Sequence, residues 1–276
     1  PNLLAGQVSL LLDFRGANMS VASACATSGH ALGEATATIL RNDADVMLAG
    51  GAESTVTPLA IGAFAQMRAL STRNDAPEKA SRPYDRDRDG FVLSEGSVVF
   101  VLEELEHARK RGARIYAELR GYGASADAYH LSSLAPGAEG SARSMRAALK
   151  RSGLAPRDID YVSAHATSTP GGDGEEAAAI AAVFGENKAN LHVSAVKSMT
   201  GHLLGGAGAM GVFAAVLAIH DSVVPPTINL ENPDPACAEL GLNFTPDTAV
   251  RKPVRAALAN SFGFGGTNAS IVVAKV

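Results

Sequence analysis

The chain has 276 residues, of which 46% are hydrophobic and 19% are charged. This composition is typical of a folded protein with an ample core and excludes extensive disorder. A formal net charge of -4 at pH 7 provides no basic field for a polyanion, so nucleic acid is not expected as the main partner. The two cysteines, Cys25 and Cys237, lie far apart and form no paired motif, which argues against a disulfide framework or thiolate metal cage and favours a reducing, cytoplasmic compartment.

The first residues, PNLLAGQVSLLLDFRG, contain no basic leader and only a short apolar run before Asp13 and Arg15, so no secretory signal is predicted. Because the chain opens on Pro rather than Met, we expect the natural start upstream. The longest uncharged stretch, residues 203–219, is rich in Gly and Ala and is shorter than the roughly 20 strongly apolar residues that cross a membrane. We interpret it as a buried helix and expect no membrane insertion.

Short β-rich runs alternate with helical patterns along the chain, which predicts an α/β fold with a largely parallel sheet. A helix over residues 141–152 is expected to end at Gly153, and another is expected to begin near Asp173 and Glu176. The predicted strands are, in chain order, residues 19–24, 45–49, 97–102, 115–121, 160–164, 192–196, 255–260 and 269–274.

Two stretches of the sequence resemble each other. Ser23-Ala24-Cys25, followed by SGHALG, is similar to Ser194-Ala195, followed by TGHLLG. Each stretch follows a predicted strand, opens a helix and precedes a further strand, which predicts a duplicated half. In the second half, residues 115–193 precede the copy that begins at Ser194, whereas only 22 residues precede Ser23 in the first half. About two strand-helix units are therefore expected to be missing from the front.

Cys25 sits where the alternating run MSVASA turns into a predicted helix. The free N–H groups and the dipole at a helix start favour anionic sulfur and lower the pKa of a thiol, so this placement predicts a nucleophile. A buried structural cysteine is the alternative, and it fits the residues equally well. Cys237, in the loop PDPACAEL, has no such placement and is predicted to be inert.

His165 ends the predicted strand at residues 160–164, and His202 lies on a turn five residues after Lys197. Ligands bind at the carboxyl ends of strands in open α/β sheets, so we expect Cys25, His165 and His202 to converge there. The alternative for each histidine alone is an ordinary core or surface residue. His107, in the charged helix EELEHARKR, is expected to be solvated.

Three motifs imitate ligand sites and are not assigned as such. GAGAMG from Gly206 matches the dinucleotide fingerprint but lies about ten residues past its strand. DRDRDG from Asp85 resembles a calcium loop, yet Gly96 stands where the loop needs Glu. SFGFGGTN lacks the Lys and Ser/Thr that end a phosphate loop, so its glycines are expected to permit close backbone approach or movement. No bound calcium and no metal site are predicted.

Five segments together resemble the β-ketoacyl-ACP synthases, and most closely the KAS II type of bacterial fatty acid synthesis. They are ACATSGH around Cys25, RPYDRDRDGFVLSEG from Arg82, HATSTPGGD from His165, KSMTGHLLGGAGA from Lys197 and NSFGFGGTN from Asn260. The segments follow the family order and cover essentially the whole chain. The resemblance implies an α/β, thiolase-like fold of two similar βαβαβαββ halves with strand order 3-2-1-4-5. Residues 1–112 would hold the end of an incomplete first half, and residues 113–276 the second half.

The function that this resemblance implies is the decarboxylative Claisen condensation of an acyl thioester with malonyl-ACP, giving β-ketoacyl-ACP in fatty acid or polyketide biosynthesis. Substrates would be carried on the phosphopantetheine of acyl carrier protein, with no metal or redox cofactor, and the protein would be a homodimer. Cys25 would take the acyl group, and His165 and His202 would stabilise the enolate left by CO2. The remaining implied roles are support of the histidines by Lys197, an oxyanion hole from the N–H groups of Cys25 and Phe264, a gate formed by the Phe264 side chain, pantetheine binding by Thr167 and Thr169, and carrier-protein docking by Arg68.

The sequence departs from the family pattern at three positions. Ala166 stands where Gly is common, Ala17 replaces a usual Pro, and Gly211 replaces a Glu typical of the subclass. Because glycine at position 211 also resembles modular polyketide ketosynthases, the subclass stays open. Two other functions are considered: an inactive fragment or non-catalytic ketosynthase partner that binds carrier protein, and a degradative thiolase. The thiolase would need a second catalytic cysteine, which SFGFGGTN lacks.

Overall fold

The computed structural model describes residues 2–276, in which helices and strands alternate as the α/β prediction requires. The helices are α1 (Asn2–Leu12), α2 (Thr27–Leu40), α3 (Pro58–Gln66), α4 (Leu105–Lys110), α5 (Glu139–Ser152), α6 (Gly172–Phe184), α7 (Lys197–Thr200), α8 (Ala207–Asp221) and α9 (Pro235–Ala238). The strands are β1 (Val46–Glu53), β2 (Gly96–Glu103), β3 (Glu118–Ala126), β4 (Tyr161–Ser163), β5 (His192–Ser194), β6 (Val223–Val224), β7 (Val250–Arg251), β8 (Ala256–Gly263) and β9 (Thr267–Ala274).

The largest sheet has five strands in the order β3-β9-β8-β4-β5. Strands β4, β5 and β8 are parallel, whereas β9 is antiparallel to both of its neighbours. Numbered within the second half, the order is 3-2-4-5-1, so the expected order 3-2-1-4-5 is wrong for this half. The reason is the tight turn from Gly263 to Thr267, which makes β8 and β9 a hairpin and leaves only the far edge of β9 for β3.

Both faces of this sheet are covered by apolar layers, because successive strand residues point to opposite sides. Val162 and Leu258 belong to the core cluster that contains residues of α5 and α6. Their neighbours Tyr161 and Ala257 belong to the cluster that contains residues of α2 and α8. The sheet is therefore buried between two helical layers, and its carboxyl-terminal edge is held rigidly enough to position side chains.

The first half contains a two-stranded antiparallel sheet, in which β1 and β2 pair from Val46–Glu103 to Glu53–Gly96. The predicted strand at residues 19–24 is wrong. Residues 19–23 have no regular secondary structure, and residues 24–26 form a 3-10 turn. Among the described residues no strand pairs with this segment, and an extended run without ladder hydrogen bonds is not a β-strand. The other seven predicted strands each overlap a strand of the structure.

The duplication is visible in the order of the elements. In each half a 3-10 turn leads into a long helix, and a strand with its antiparallel partner follows later in the chain: α2, β1 and β2 in the first half, and α8, β8 and β9 in the second, where β6, α9 and β7 intervene. Both turns begin with a left-handed residue, Ala24 (φ 48°) and Leu204 (φ 45°). By backbone conformation Ala24 corresponds to Leu204, whereas the sequence comparison places Ala24 opposite Ala195; α7 lies between β5 and the second turn and accounts for the difference.

Helix α5 ends where the sequence predicts, with Gly153 in the left-handed conformation (φ 72°) that caps helices. The apolar stretch at residues 203–219 lies largely in α8, as expected. The segment Leu204–Asp221 is long and apolar enough to cross a membrane by length and composition, and 56% of it is buried inside the fold, as in the core helix of a globular protein. The division at residue 112 stays a prediction.

Candidate active site

A cavity of about 430 Å³ opens at the carboxyl-terminal edge of the large sheet and is lined by both halves of the chain. All but one of the predicted site residues line it: Cys25, Arg68, His165, Thr167, Thr169, His202 and Phe264. Lys197 is the exception, since it is buried behind His165. The residues come from five separate parts of the sequence, and the ends of β4, β5 and β8 together with the turn before α2 bring them together.

Cys25 lies in the 3-10 turn Ala24–Ala26, directly before α2, and is only 8% exposed. Burial raises the pKa of its thiol to about 11, although the nearby charge of Lys197 and the backbone N–H groups of Phe264 and of Cys25 itself favour the thiolate. The expectation of a lowered thiol pKa is therefore wrong. The N–H groups at the turn do act in the expected direction, but loss of hydration outweighs them.

His165 and His202 face each other with their rings edge to face and their centroids 5.5 Å apart. Burial lowers the pKa of both imidazoles well below the ordinary value, and the charge of Lys197 lowers both further. Both rings are consequently neutral at pH 7. Phe262 packs against His165 and Phe91 against His202, with centroids 5.6 and 5.2 Å away, which gives the two imidazoles an apolar setting.

Lys197 and Glu176 hold the backbone of His165 from two sides. The Nζ of Lys197 donates to the His165 carbonyl. The Glu176 carboxylate accepts from the N–H groups of His165 (2.8 Å) and Ala166 (2.7 Å) and from Nδ2 of Asn260 (3.0 Å). Burial lowers the pKa of Lys197 to about 8, opposed mainly by the charge of Glu176. Lys197 and Glu176 therefore fix the position of the His165 imidazole, and Lys197 does so without lining the cavity.

The loop after His165 presents two hydroxyl groups to the cavity. The Oγ1 atoms of Thr167 and Thr169 are 3.2 Å apart, and Ser168 between them adopts a left-handed conformation (φ 72°). The Asp173 carboxylate accepts from the Ser168 N–H at 3.1 and 3.2 Å. Ala166 is not among the residues with positive φ, so the backbone there accepts an alanine where the family commonly has glycine.

Arg68 and Phe264 line the exposed part of the cavity. Arg68 is exposed and left-handed (φ 54°). Phe264 is 37% exposed and lies in the β8–β9 turn beside Gly265 (φ 89°) and Gly266 (φ 70°). Since glycine adopts these angles without steric cost, the turn can approach the Cys25 sulfur with its backbone.

Gly211 lies in α8, outside the cavity lining, and faces β4. A Cβ atom at this position would lie 3.4 Å from the Ser163 hydroxyl and 3.8 Å from the Ala259 side chain. The Glu that is typical of the subclass would thus contact the buried strand that ends next to His165. Glycine at position 211 removes that contact and leaves the chemistry-bearing groups unchanged.

The three motifs that imitate ligand sites are used inside the fold. The Asp85 carboxylate accepts from the N–H groups of Asp87 (2.9 Å) and Asn232 (2.7 Å). The segment GAGAMG forms the end of a 3-10 turn and the start of α8, and SFGFGGTN forms the β8–β9 hairpin. Within residues 2–276 no group of three His, Cys, Asp or Glu side chains has the geometry to hold a metal ion.

Sequence reasoning did not identify Glu176 as part of the site and treated it only as a helix start. The signal in the sequence was its position on α6, where Glu176 shares the buried face with Ala177, Ile180 and Val183, which recur at helical spacing. A carboxylate on an apolar face is rarely left unpaired. Asn260, which donates to Glu176, and Arg88, which donates to the Thr169 carbonyl, gave no comparable signal in the sequence.

The family models for the N-terminal and C-terminal domains of beta-ketoacyl synthase match residues 1–108 and residues 116–231. The chain is 53% identical over 275 residues to 3-oxoacyl-[acyl-carrier-protein] synthase 2 of Coxiella burnetii, covering 100% of this chain and 66% of the relative. It is 51% identical over 279 residues to the mitochondrial 3-oxoacyl-[acyl-carrier-protein] synthase of Arabidopsis thaliana, covering 100% of this chain and 60% of the relative. The chain belongs to the β-ketoacyl synthase family.

Solved structures agree with this membership. A type II polyketide ketosynthase in complex with its acyl-carrier protein superposes with a TM-score of 0.96 at 38% identity, covering 100% of this chain and 67% of that one. A beta-ketoacyl synthase from Burkholderia phymatum gives 0.94 at 39% identity, covering 100% and 66%. The α/β ketosynthase fold is thereby confirmed. The chain spans 66–67% of the length of these two solved proteins and 60–66% of the length of the two curated relatives.

Proposed function

We propose that this ketosynthase cavity condenses an acyl thioester with malonyl-ACP, releasing CO2 and giving β-ketoacyl-ACP. The observation that carries the proposal is one cavity lined by Cys25, His165 and His202, with the Phe264 N–H directed at the sulfur. A thiol, two neutral imidazoles and a backbone donor are the groups that the reaction needs. Sulfur suits the nucleophile because acyl transfer onto it preserves the reactivity of a thioester.

In the first step the Cys25 sulfur attacks the carbonyl carbon of the acyl thioester. The oxyanion that forms accepts from the N–H groups of Phe264 and Cys25. The C–S bond to phosphopantetheine then breaks, and the departing thiolate takes up the proton that the Cys25 thiol gave up. Because burial raises the pKa of the thiol to about 11, we propose that the proton leaves the sulfur as it attacks.

In the second step malonyl-ACP binds with its thioester oxygen against His165 and His202. Cleavage of the bond to the carboxylate carbon releases CO2 and leaves its electron pair on an enolate. One preorganised donor to such an oxygen is worth about 2.7–4 kcal/mol, or 10²–10³ in rate. Neutral imidazoles supply two donors here without adding two positive charges to a buried pocket. Lys197 and Glu176 maintain the position of His165 while charge develops.

In the third step the enolate carbon attacks the acyl carbonyl on Cys25. The Phe264 and Cys25 N–H groups again hold the oxyanion, and a C–C bond replaces the C–S bond to the enzyme. The sulfur leaves with its electron pair and takes up one proton, which regenerates the thiol. The residues alone carry out these steps, so we propose that no metal or redox cofactor takes part.

Acyl carrier protein is the partner that we propose, with its phosphopantetheine extending past Thr167 and Thr169. Arg68 is exposed at the cavity opening, where its charge suits an acidic carrier protein. The related polyketide ketosynthase is described in complex with its acyl-carrier protein, which supports the same kind of partner here. A homodimeric state and a cytoplasmic location remain predictions.

Fatty acid synthesis is the pathway that we propose for this condensation. The curated relatives at 47–53% identity are named 3-oxoacyl-[acyl-carrier-protein] synthases, whereas the polyketide ketosynthase structures are 37–38% identical. One of those structures is a ketosynthase with a chain length factor, so a non-catalytic partner is the second candidate. The retained nucleophile at Cys25 favours the catalytic function.

The test is condensation by the full-length protein with acyl-ACP and malonyl-ACP, measured as β-ketoacyl-ACP by mass spectrometry. We expect product from the wild type and none from Cys25→Ala. Decarboxylation of malonyl-ACP should persist in Cys25→Ala, since the imidazoles remain, and should fall at least about 10²-fold in His165→Ala. Absence of product from the wild type, or undiminished condensation after Cys25→Ala, contradicts the proposal.

A further inference from the structure

Arg88 belongs to the first half, yet its guanidinium holds a loop of the second half. The side chain is 5% exposed. Its Nε donates to the Thr169 carbonyl at 3.0 Å, and its Nη2 donates to the Pro170 carbonyl at 2.8 Å. Its Nη1 donates to the Asp85 carbonyl at 2.9 Å and to the Asp234 carboxylate at 2.6 Å. Two of its four hydrogen bonds therefore fix the backbone of the cavity wall.

The segment that carries Arg88 holds the same loop at the preceding residue. The Gly90 N–H donates to the Ser168 carbonyl at 3.0 Å, and the Arg82 N–H donates to the Ser168 hydroxyl at 2.9 Å. The carbonyls of residues 168, 169 and 170 are thus all held from this segment. Ser168 is left-handed, a conformation that a residue with a side chain keeps only when its surroundings over-determine it.

The held loop carries the hydroxyl groups of Thr167 and Thr169. Both line the cavity and lie within hydrogen-bond distance of each other. Arg88 stands behind this wall and touches the carbonyl of Thr169 rather than its hydroxyl. A planar guanidinium with fixed donor directions sets the orientation of two successive peptide units in a way that a flexible ammonium does not.

We propose that Arg88 is a positioning residue that aims the Thr167 and Thr169 hydroxyls at the amides of the pantetheine arm. The inference rests on the proposed function, which supplies a pantetheine thioester as substrate. A purely structural role is the alternative, because Arg88 also neutralises Asp234 and lies 3.9 Å from Asp173. The two roles differ in one measurable respect: positioning affects only substrates that carry the arm.

The experiment compares two acyl donors in the full-length protein, an acyl pantetheine and the S-ethyl thioester of the same acid, which lacks the amides. Acylation of Cys25 is followed by intact-protein mass spectrometry. In Arg88→Lys the rate constant for the pantetheine donor should fall about tenfold, about the net worth of a well-placed hydrogen bond. The rate constant for the S-ethyl donor should change less than about twofold, because this donor has no amides for the two hydroxyls to bind.

Two further variants provide a second test of the positioning role and a control. Asp234→Asn removes only the charge that holds Nη1 of Arg88 and should give a smaller loss in the same direction. Arg86→Lys is the matched control, because Arg86 lies in the same segment and its side chain is 61% exposed and, within residues 2–276, forms an ion pair only with Asp87 at 3.7 Å. Its ratio of the two rate constants should equal that of the wild type. The ratio does not depend on how much of a variant is folded, and Asp234→Asn decides the question if Arg88→Lys fails to fold.

Equal losses with both donors, or an unchanged ratio, would overturn the positioning role of Arg88. A wild type that accepts the acyl group from neither donor refutes the proposed function instead. The two failures are therefore distinguishable.

Discussion

Alkylation of Cys25 by iodoacetamide should be slow at neutral pH and should accelerate about tenfold for each pH unit up to pH 10, because only the thiolate reacts. Burial raises the pKa of this thiol to about 11. At pH 7.5 such a group is about 0.03% thiolate, against about 9% for an exposed cysteine of pKa 8.5. The more basic thiolate is intrinsically about tenfold more nucleophilic. The net expectation is a rate about thirtyfold below that of an exposed cysteine.

The assay follows the mass of the intact protein during timed alkylation at a series of pH values, with a cysteine-containing peptide as the exposed reference. Cys25→Ser is the control, since it leaves only Cys237, which is 0% exposed and whose thiol pKa burial likewise raises to about 11. A rate that levels off between pH 7 and 9 would refute the reasoning. It would show that the N–H groups at the helix start, rather than desolvation, control the sulfur.

Four further predictions concern stability and the charged groups of the site. Gly211→Ala should raise the free energy of unfolding by about 0.5–1 kcal/mol in urea titrations, because its Cβ would make only ordinary contacts. Gly208→Ala should lower the free energy of unfolding by about 1–3 kcal/mol, because its Cβ would lie 2.7 Å from the Gly29 nitrogen. The reverse order of the two stabilities would contradict this packing. His165→Asn should gain stability relative to the wild type as pH falls, by up to about 1.4 kcal/mol per unit below pH 6.5. The sign follows from the lowered pKa of the His165 imidazole: the unfolded state binds the proton at higher pH than the folded state, so the wild type loses stability on acidification. A stability difference between variant and wild type that does not vary with pH would contradict this coupling. Glu176→Gln should lower the free energy of unfolding by about 3–5 kcal/mol, because it removes the charge that most favours the buried Lys197 ammonium; a cost below about 1 kcal/mol would mean that the charge of Asp173 suffices. Lys197→Met should slow Cys25 alkylation at pH 7 about threefold or more, because a cation that favours the thiolate is lost; an unchanged rate contradicts that coupling.

The convergence of His165 and His202 was predictable because both follow predicted strands that form β4 and β5, and parallel strands bring such ends to one edge. The strand predicted before Cys25 is absent, and the 3-10 turn before α2 brings the thiol to the same edge instead. The cavity lining confirms this placement. Their chemical roles stay a proposal.

The sign of the Cys25 pKa shift was not predictable in the same way. A helix start is a local feature that the sequence displays, whereas desolvation depends on which distant segments cover the sulfur. The strand expected at residues 19–24 failed for a related reason, because alternating residues favour a strand but ladder partners decide whether one forms. Glu176 and Arg88 also depend on tertiary contacts, since their partners lie up to 146 residues away in the sequence.

The close crossing of α2 and α8 sets the geometry of the site through main-chain atoms. A Cβ on Gly208 would overlap the Gly29 nitrogen, so the two helix backbones touch without intervening side chains. The thiol precedes one helix by two residues, and one imidazole precedes the other by five. The spacing between the Cys25 thiol and the His202 imidazole is therefore insulated from substitutions in the surrounding hydrophobic layers, which lets the other walls of the cavity diverge while these two groups keep their separation.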